Sequence, residues 1–333
     1  VIFSSVNSLI ISGTLPKEII FTSGGTEGDN TILQSALLHL GIHHFISSPI
    51  EHHAVLHTLK HMADQGLIRL DLVKVLPSGS PDMDHLIQLL TINDEKKMVS
   101  LIHVNNEVGT ILDLEAVGNL CHQHNALFHT DSVQSIGHFS LNYESLPVDF
   151  AVASAHKFHG PKGCGFLYQN KHIQISPLIT GGAQERNNRG GTENLYGIVG
   201  LGKAMELAYT NLEEHQNDIQ SLKSYMMKSL VDIDPKITFN GETNPNKSLY
   251  TVLNVCFPMN ACNSMLLFSL DIHGIAASGG SACSSGSNKG SHVLSELPNQ
   301  ENCQSVRFSF SRYTTKEEID FTLSKIRSII KNE

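Results

Sequence analysis

The sequence predicts an α/β protein built on an open, mostly parallel sheet. Short apolar segments typical of buried strands alternate with longer segments of helical periodicity along much of the chain. Polar clusters follow several of the apolar segments, and in this class of fold ligands lie at the carboxyl ends of the strands. We therefore expect the chemically important residues to lie in the segments that directly follow strands.

The predicted elements follow one another in a regular order. Predicted strands lie at 19–22, 44–48, 70–75, 98–104, 126–129, 148–153, 166–168, 250–255 and 305–310. One predicted helix directly follows the strand at 19–22, and a second begins near residue 51. Further predicted helices lie at 113–124, 198–230 (in more than one segment), 265–270 and 315–331. Residues 239–245 are predicted to form a loop. Thr314 or Thr315 with Glu317 and Glu318 gives the last helix a capping signal.

The length of 333 residues suits two domains better than one simple core. We predict a large domain at 1–203 and a smaller α/β C-terminal domain at 204–333. The amphipathic helical stretch at 198–230 would form the bridge between them.

Composition excludes several classes of protein. The chain is 40% hydrophobic and 17% charged, which is typical of a soluble globule. Its formal net charge of −9 and the lack of a basic tract make nucleic acid an unexpected partner. No apolar stretch is long enough to cross a bilayer, and the first residues do not form a clear signal peptide. Six scattered cysteines without a CxxC pair argue against a zinc site or a disulfide framework and suit a reducing cytoplasm.

A glycine-rich turn at 23–30 separates the first strand from the first helix. Backbone N–H groups and the helix dipole at such a turn can bind a phosphate, with Gly25 and Thr26 at the start of the helix. The turn matches neither of the common nucleotide-binding motifs. The alternative interpretation is a helix cap made by Ser23 or Thr26.

The segment that begins at Glu51 carries several histidines. A flat imidazole such as that of His52, at a strand-to-helix turn, can stack on a planar ring. With 19 histidines in the chain this is a weak signal. His53 and His57 have the spacing of metal ligands, but the carboxylate of the HExxH motif is missing, and we expect no metal site.

Two charged residues follow later strands. A carboxylate just past a buried strand, such as Asp131, is costly unless it is paired. It could hold a pyridinium N–H or cap the next helix. Lys157 lies in a polar turn between two apolar segments, where a desolvated amine loses its proton more readily and can hold a carbonyl cofactor as a Schiff base. Ser154 and His156 beside it could bind an anion; an ordinary surface lysine is the alternative.

The C-terminal part offers a cysteine and an arginine. Cys283 lies in a loop at 278–291 made almost entirely of small or polar residues, which we expect to be mobile. A single cysteine there fits an accessible nucleophile, or an incidental cysteine in a linker. Arg307 in an otherwise apolar strand suggests a bidentate carboxylate partner.

Eight segments together resemble the cysteine desulfurases, class-V members of the fold-type I pyridoxal-phosphate enzymes. They are Phe-Thr-Ser-Gly-Gly-Thr-Glu at 21–27, Glu-His at 51–52, His-Val-Asn-Asn-Glu-Val-Gly at 103–109, His-Thr-Asp-Ser-Val-Gln-Ser at 129–135, Ser-Ala-His-Lys-Phe-His-Gly-Pro-Lys-Gly at 154–163, Arg-Gly-Gly-Thr-Glu-Asn at 189–194, Ser-Gly-Gly-Ser-Ala-Cys-Ser-Ser-Gly at 278–286 and Val-Arg-Phe-Ser at 306–309. Each segment is a weak signal, but all eight occur in the order of the family and span essentially the whole chain.

The resemblance implies pyridoxal 5'-phosphate as cofactor, bound by the large domain. Lys157 would form the Schiff base and move a proton at Cα, and His52 would stack on the ring and take part in catalysis. The remaining implied cofactor contacts are Asp131 at the ring nitrogen, Gln134 at the phenolic oxygen, Gly25, Thr26, Ser154 and His156 around the phosphate, Asn106, and Thr192 from a second subunit.

The resemblance also implies the reaction. Asn106 and Arg307 would hold the carboxylate of L-cysteine, and Cys283 would take its sulfur as a persulfide, leaving L-alanine. The sulfur would serve iron–sulfur cluster assembly or tRNA thiolation through an acceptor or scaffold protein. A cytoplasmic homodimer is implied as well. The alternatives are a selenocysteine lyase, and an aminotransferase or other lyase, against which the cysteine loop argues.

The chain departs from the family at its start. Family members carry a Tyr-Leu-Asp-Asn-Ala-Ala-Thr-Thr-like stretch that this sequence lacks, and we expect roughly fifty N-terminal residues to be absent. That segment helps to wall the substrate pocket. An inactive truncated homologue that serves as a binding partner is therefore a further alternative.

Overall fold

The computed structural model describes residues 14–259, 265–279, 290–298 and 302–331. The chain divides into two compact units. The first consists of Val1–Lys74, Pro81–Val104 and Leu112–Leu212, and the second of Val75–Ser80, Asn105–Ile111 and Glu213–Glu333. The domain boundary at residue 203 stays a prediction: the first unit continues to Leu212, and two short internal segments belong to the second.

The first unit alternates strands and helices, as the sequence predicts. Its strands are β1 (Ile19–Thr22), β2 (His44–Ser47), β3 (Arg69–Leu72), β4 (Lys97–Ser100), β5 (Leu127–Asp131), β6 (Phe150–Ser154) and β7 (Gly165–Gln169). Its helices are α1 (Gly25–Leu38), α2 (His53–Asp64), α3 (Met83–Leu90), α4 (Leu114–Gln123) and α5 (Leu195–Thr210). Short 3-10 helices lie at Pro16–Glu18, Ala155–Phe158 and Gln184–Asn187.

The seven strands form one sheet in the order β1-β7-β6-β5-β4-β2-β3. The neighbours from β3 to β6 run parallel, whereas β7 is antiparallel to both β6 and β1. β1 therefore runs in the same direction as β6. The carboxyl ends of β1, β2, β4, β5 and β6 consequently lie at one edge of the sheet, and the predicted mostly parallel α/β fold is confirmed.

Both faces of this sheet are covered. Successive residues of a strand point to opposite faces, and they enter two different apolar clusters: Met98 packs in one and Val99 in the other, as do Val152 and Ala153. Strands buried on both sides read as continuous apolar runs, which is the pattern typical of a parallel sheet between helices.

The second unit holds a three-stranded antiparallel sheet. Its strands are β8 (Thr238–Asn240), β9 (Val252–Pro258) and β10 (Cys303–Ser309) in the order β10-β9-β8, and its helices are α6 (Leu212–Ile233), α7 (Leu266–Ile272) and α8 (Lys316–Lys331). At the start of α8, Thr315 N–H donates to Glu318 Oε2 and Glu318 N–H donates to Thr315 Oγ1. This reciprocal pair is the predicted capping box. Within the described ranges, no helix is both long and apolar enough to span a bilayer.

Three local expectations are wrong or incomplete. The predicted loop at 239–245 begins in β8, a three-residue strand that is defined by its pairing with β9 and has no alternating apolar pattern. Helix α3 was not predicted.

Cys256 and Cys303 form a disulfide with 5.3 Å between their Cα atoms, contrary to the expectation of unpaired cysteines. The pairing of β9 with β10 brings these cysteines together across 47 residues of sequence, which spacing cannot reveal.

Helix α4 contacts the loop before β6 so closely that Gly118 has no room for a side chain. A Cβ atom at this position would overlap the backbone carbonyl of Pro147. We predict that Gly118→Ala lowers the free energy of unfolding by about 1–3 kcal/mol, because backbone must move to admit the methyl group. Asn119→Ala, on the exposed side of the same helix, should change it by no more than about 0.5 kcal/mol. Urea unfolding of both variants measures the difference; equal stabilities would contradict the close contact.

Candidate active site

The ends of β1, β5 and β6 gather polar residues at one edge of the sheet. Strand pairing places Asp131 beside Val152, and both Ser154 and Thr22 beside Gly165. The residues that follow Thr22, Asp131 and Ser154 therefore start from neighbouring points. These are three of the segments from which the sequence predicts a cofactor site.

The turn into α1 approaches Ser154 closely. The N–H of Gly25 donates to Ser154 Oγ at 2.7 Å. A Cβ atom on Gly25 would lie 2.5 Å from Val133 Cγ2, so only glycine fits here without movement. The N-cap residue is Gly24, and no side chain caps the helix, so the alternative interpretation of a cap by Ser23 or Thr26 is wrong. Thr26 is exposed in the first turn of α1.

Lys157 lies in the 3-10 turn Ala155–Phe158, directly after β6. Its side chain is exposed, as is that of His156, so the expected desolvation of the amine is not present in the protein alone. The reason is that only Ala155 and Phe158 of this turn are buried. Partial desolvation, and then the charges of Lys157 and Lys162, lower the pKa of His156. The imidazole of His156 is therefore biased toward its neutral form.

Asp131 is buried at the end of β5. Its Oδ1 accepts a hydrogen bond from Val133 N–H at 2.9 Å, and the turn that follows is not a helix, so the interpretation of Asp131 as a helix cap is wrong. Burial raises the pKa of Asp131 to about 6, opposed by the Val133 N–H and by the charge of Lys157. Lys157 thus acts electrostatically on this carboxyl. Gln134, half-buried, lies in the same turn.

His52 is the N-cap residue of α2. Its Nδ1 accepts a hydrogen bond from Ala54 N–H at 3.2 Å, which leaves any ring proton of the neutral form on Nε2. The half-buried ring is fixed by this contact. The neighbouring rings of His53 and His57 are stacked with 4.3 Å between centroids, and the described residues contain no group of three candidate metal ligands.

The loop that carries Thr192 is held to α1 by an ion pair. Arg189 Nε lies 3.0 Å from Glu27 Oε1, and the second carboxylate oxygen accepts from Ser23 N–H. Hydrogen bonding by Arg189 and Ser23 outweighs partial burial and lowers the pKa of Glu27. Thr192 itself is exposed.

Arg307 and Asn106 lie together in the second unit. Arg307 Nη1 donates to the backbone oxygen of Asn106 at 2.9 Å, whereas its buried Nε has no hydrogen-bond partner among the described residues. Burial lowers the pKa of Arg307, opposed by the carboxylate of Glu107. Ser278 pairs with Arg307 through both backbone hydrogen bonds. Cys283, five residues further on, lies outside the described residues.

Four buried polar side chains beside the site were not predicted: Asp29, Glu51, His103 and His129. A signal for two of them exists in the sequence. Asp29 lies on the same helical stripe as Leu33 and Leu37, which marks it as core-facing, and His129 interrupts an apolar strand. A polar residue at a core position requires a partner, which is the signal that also marks Asp131.

Known proteins resemble this chain over nearly its whole length. Residues 6–321 match the class-V aminotransferase family. A cysteine desulfurase IscS from Methanosarcina thermophila is 41% identical over 323 residues, which are 96% of this chain and 78% of that protein. A putative cysteine desulfurase IscS 1 from Bacillus subtilis (strain 168) is 38% identical over 324 residues, which are 96% of this chain and 84% of that protein.

Solved structures agree with these matches. A NifS-like protein superimposes with a TM-score of 0.89 at 35% identity, covering 100% of this chain and 88% of that one. A NifS-like protein from Rickettsia africae ESF-5 superimposes with a TM-score of 0.85 at 30% identity, covering 99% and 88%. The resemblance inferred from the eight segments is confirmed. The chain belongs to the class-V aminotransferase family and, within it, to the cysteine desulfurases.

Proposed function

We propose that this chain is a pyridoxal-phosphate-dependent cysteine desulfurase that converts L-cysteine to L-alanine and transfers the sulfur to Cys283. The observation that carries the proposal is the arrangement at one edge of the sheet. A turn with a lysine, a buried carboxyl, and a glycine turn at a helix start follow strands β6, β5 and β1. Identity of about 40% to proteins named cysteine desulfurase supports the choice of reaction.

The residues at this edge fit pyridoxal phosphate. No side chain caps the start of α1 at Gly25, so backbone N–H groups there, beside Ser154 and Thr26, suit a phosphate. His156, His52 and Gln134 would contact the same group. Bound there, pyridoxal phosphate supplies an electron sink for bond changes at the Cα of the substrate.

Lys157 and Asp131 have complementary tasks. The exposed amine of Lys157 would hold the cofactor covalently and then move a proton at the substrate Cα. Asp131 has a pKa of about 6, so it is ionised at neutral pH and favours a protonated ring nitrogen. Below that pH the carboxyl gains a proton and this charge is lost.

We assign the substrate carboxylate to Arg307 and Asn106. The buried Nε of Arg307 has a hydrogen to donate and, among the described residues, no acceptor for it. A bidentate carboxylate would satisfy this group. The thiol of Cys283 would then take the sulfur, as an accessible nucleophile of a glycine- and serine-rich segment.

We further propose a homodimer in the cytoplasm that passes sulfur to an acceptor or iron–sulfur scaffold protein. Thr192 is exposed and would reach the cofactor phosphate of a second copy. Directly after it, Leu195, Tyr196 and Val199 present exposed apolar side chains on α5, with Tyr196 at 91% exposure. An apolar surface next to the proposed shared site fits a contact with a second copy.

Covalent attachment of the cofactor tests the assignment of Lys157. We predict that Lys157→Ala abolishes attachment, because no other lysine follows the end of β6 so directly. Borohydride reduction and peptide mapping of the unmutated protein should find the label on Lys157. Lys162→Ala, in the same turn region, serves as the control and should keep the label; a label on Lys162 in the unmutated protein would contradict the assignment.

The charge of Asp131 is the second point to test. We predict that Asp131→Asn keeps the fold and lowers kcat by about 10²- to 10³-fold, as for other preorganised charges that stabilise a transition state. Asp149, which lies just before β6, is another buried carboxylate, and it accepts a hydrogen bond from Phe128 N–H. Asp149→Asn removes its charge. This control should affect stability rather than turnover per folded protein. Near-normal turnover in Asp131→Asn would show that the charge is dispensable.

The thiol of Cys283 separates a desulfurase from an ordinary lyase. We predict that Cys283→Ser binds the cofactor and cysteine but forms no alanine, because no nucleophile remains to take the sulfur. Burial raises the pKa of Cys164 to about 11, so Cys164→Ala is the control and should retain alanine formation. Intact-mass analysis after brief exposure to cysteine should locate added sulfur on Cys283. Undiminished alanine release from Cys283→Ser would refute the persulfide route, and turnover of selenocysteine alone would favour a selenocysteine lyase.

A further inference from the structure

Behind the candidate active site lies a group of buried ionisable residues that the proposed reaction does not use. We call Asp29, Glu51, His129 and Asp131 the buried acid cluster. Each is at most 4% exposed. The three carboxyl groups influence one another: the charge of Asp131 raises the pKa of both Asp29 and Glu51, and Glu51 adds to the effect on Asp29. Three adjacent buried anions would be strongly destabilising.

The hydrogen bonds of Glu51 are concentrated on one oxygen. Ser48 Oγ–H donates to Glu51 Oε1 at 2.7 Å, and Ile102 N–H donates to the same atom at 2.9 Å. In a neutral carboxylic acid one oxygen is the carbonyl acceptor and the other carries the proton. Both donors to Glu51 contact the same oxygen, Oε1, as expected for a neutral carboxylic acid. Burial raises the pKa of Glu51 to about 8, against the opposing effect of the two donors.

Asp29 and His129 face each other in the buried acid cluster. His129 Nε2 lies 3.4 Å from Asp29 Oδ1, and within the described residues neither Asp29 oxygen accepts a hydrogen bond. On the other side of the ring, His129 Nδ1 lies 2.8 Å from Ser100 Oγ. An ionised Asp29 would be a buried charge with no more than the distant N–H of a neutral His129 to support it, whereas a proton on Asp29 makes the two side chains a neutral pair.

Among the residues that the structure describes, the other ionisable groups around the cluster do not supply a cation to these two acids. Burial lowers the pKa of His103 and of His129 to about 3, so both rings are neutral. Burial also raises the pKa of Tyr143, whose hydroxyl stays neutral. In the protein alone, the ammonium of Lys157 lowers the pKa of Asp131, the least shifted of the three acids.

We propose that Asp29 and Glu51 are held as neutral acids, so that Asp131 is the one ionised carboxyl of the buried acid cluster and its charge is placed at the ring nitrogen of bound pyridoxal phosphate. Asp29 and Glu51 are thus positioning residues, which act through Asp131. The role toward the ring nitrogen rests on the proposed function. The neutral state of the two acids does not, since it follows from their burial and contacts alone.

The neutral acids have a consequence for stability. In the unfolded chain Glu51 ionises near its ordinary pKa of 4.5, and in the folded chain near 8. The folded protein therefore binds the extra proton between these values, and it loses stability as pH rises through this window. A glutamine at this position cannot ionise, so Glu51→Gln removes that loss.

The first experiment is urea unfolding of the cofactor-loaded protein and of Glu51→Gln at several pH values between about 5 and 8. We expect the unfolding equilibrium constant of the wild type, relative to the variant, to rise by up to about tenfold per pH unit. Glu18→Gln is the matched control, because it makes the same change at another buried carboxyl group, whose two oxygens accept backbone N–H groups. We expect the pH trend for Glu51→Gln only. A constant ratio for Glu51→Gln would overturn the proposal.

The second experiment locates the charge at the ring. With pyridoxal phosphate labelled with ¹⁵N in the ring, the nitrogen shift should report a protonated ring in the wild type, in Glu51→Gln and in Asp29→Asn, and an unprotonated ring only in Asp131→Asn. Loss of ring protonation in either of the first two variants would overturn the proposal, since the charge would then belong to those acids. If a variant does not fold, the fallback measurement is the infrared spectrum of the wild type at neutral pH. We expect a band from protonated carboxyl groups, and the absence of this band would overturn the proposal.

These readouts do not depend on turnover of cysteine. A protein that shows the pH trend and the protonated ring but no desulfurase activity would support the charge arrangement and contradict the proposed reaction. A desulfurase without the pH trend would do the opposite. The two proposals can therefore fail separately.

Discussion

The shared direction of strands β1, β2, β4, β5 and β6 is the constraint on which the candidate active site depends. Parallel pairing brings their carboxyl ends to one edge, so each following segment delivers its polar side chains to the same region. The antiparallel strand β7 preserves this arrangement, because two reversals return β1 to the common direction. The covered faces of the sheet hold these ends in place, since buried ladder hydrogen bonds cannot be exchanged with water.

Burial at this edge then determines the charges. Asp131, Asp29 and Glu51 are all removed from water, and each ionised carboxyl makes the next one more costly. Asp131 is the acid whose ionisation costs least, because the Val133 N–H and the charge of Lys157 stabilise its carboxylate. A carboxylate in this position is ready to accept a cation, because a pairing charge relieves the cost of its burial. The ionisation state of Asp131 in the candidate active site thus follows from the buried residues around it.

Close packing determines which residue types can occupy the turn at Gly25. The backbone N–H of Gly25 reaches Ser154 because no side chain separates α1 from the end of β6, and Val133 fills the space where a Cβ would lie. On the opposite side of the turn, the ion pair of Glu27 with Arg189 joins the start of α1 to the loop that carries Thr192. Two loops distant in sequence are in this way fixed to one helix start.

The sequence by itself determined the α/β class and most of the strand segments, because buried parallel strands are apolar runs, and it predicted the candidate site residues from the polar segments that occur in a family order. It did not reveal β8, helix α3 or the disulfide between Cys256 and Cys303, since these depend on pairing and packing between distant segments. The exposure of Lys157, the capping role of His52 and the cluster around Asp29 and Glu51 were likewise decided only by the tertiary structure. Burial and hydrogen-bond partners are properties of the folded chain, and no local pattern of residues contains them.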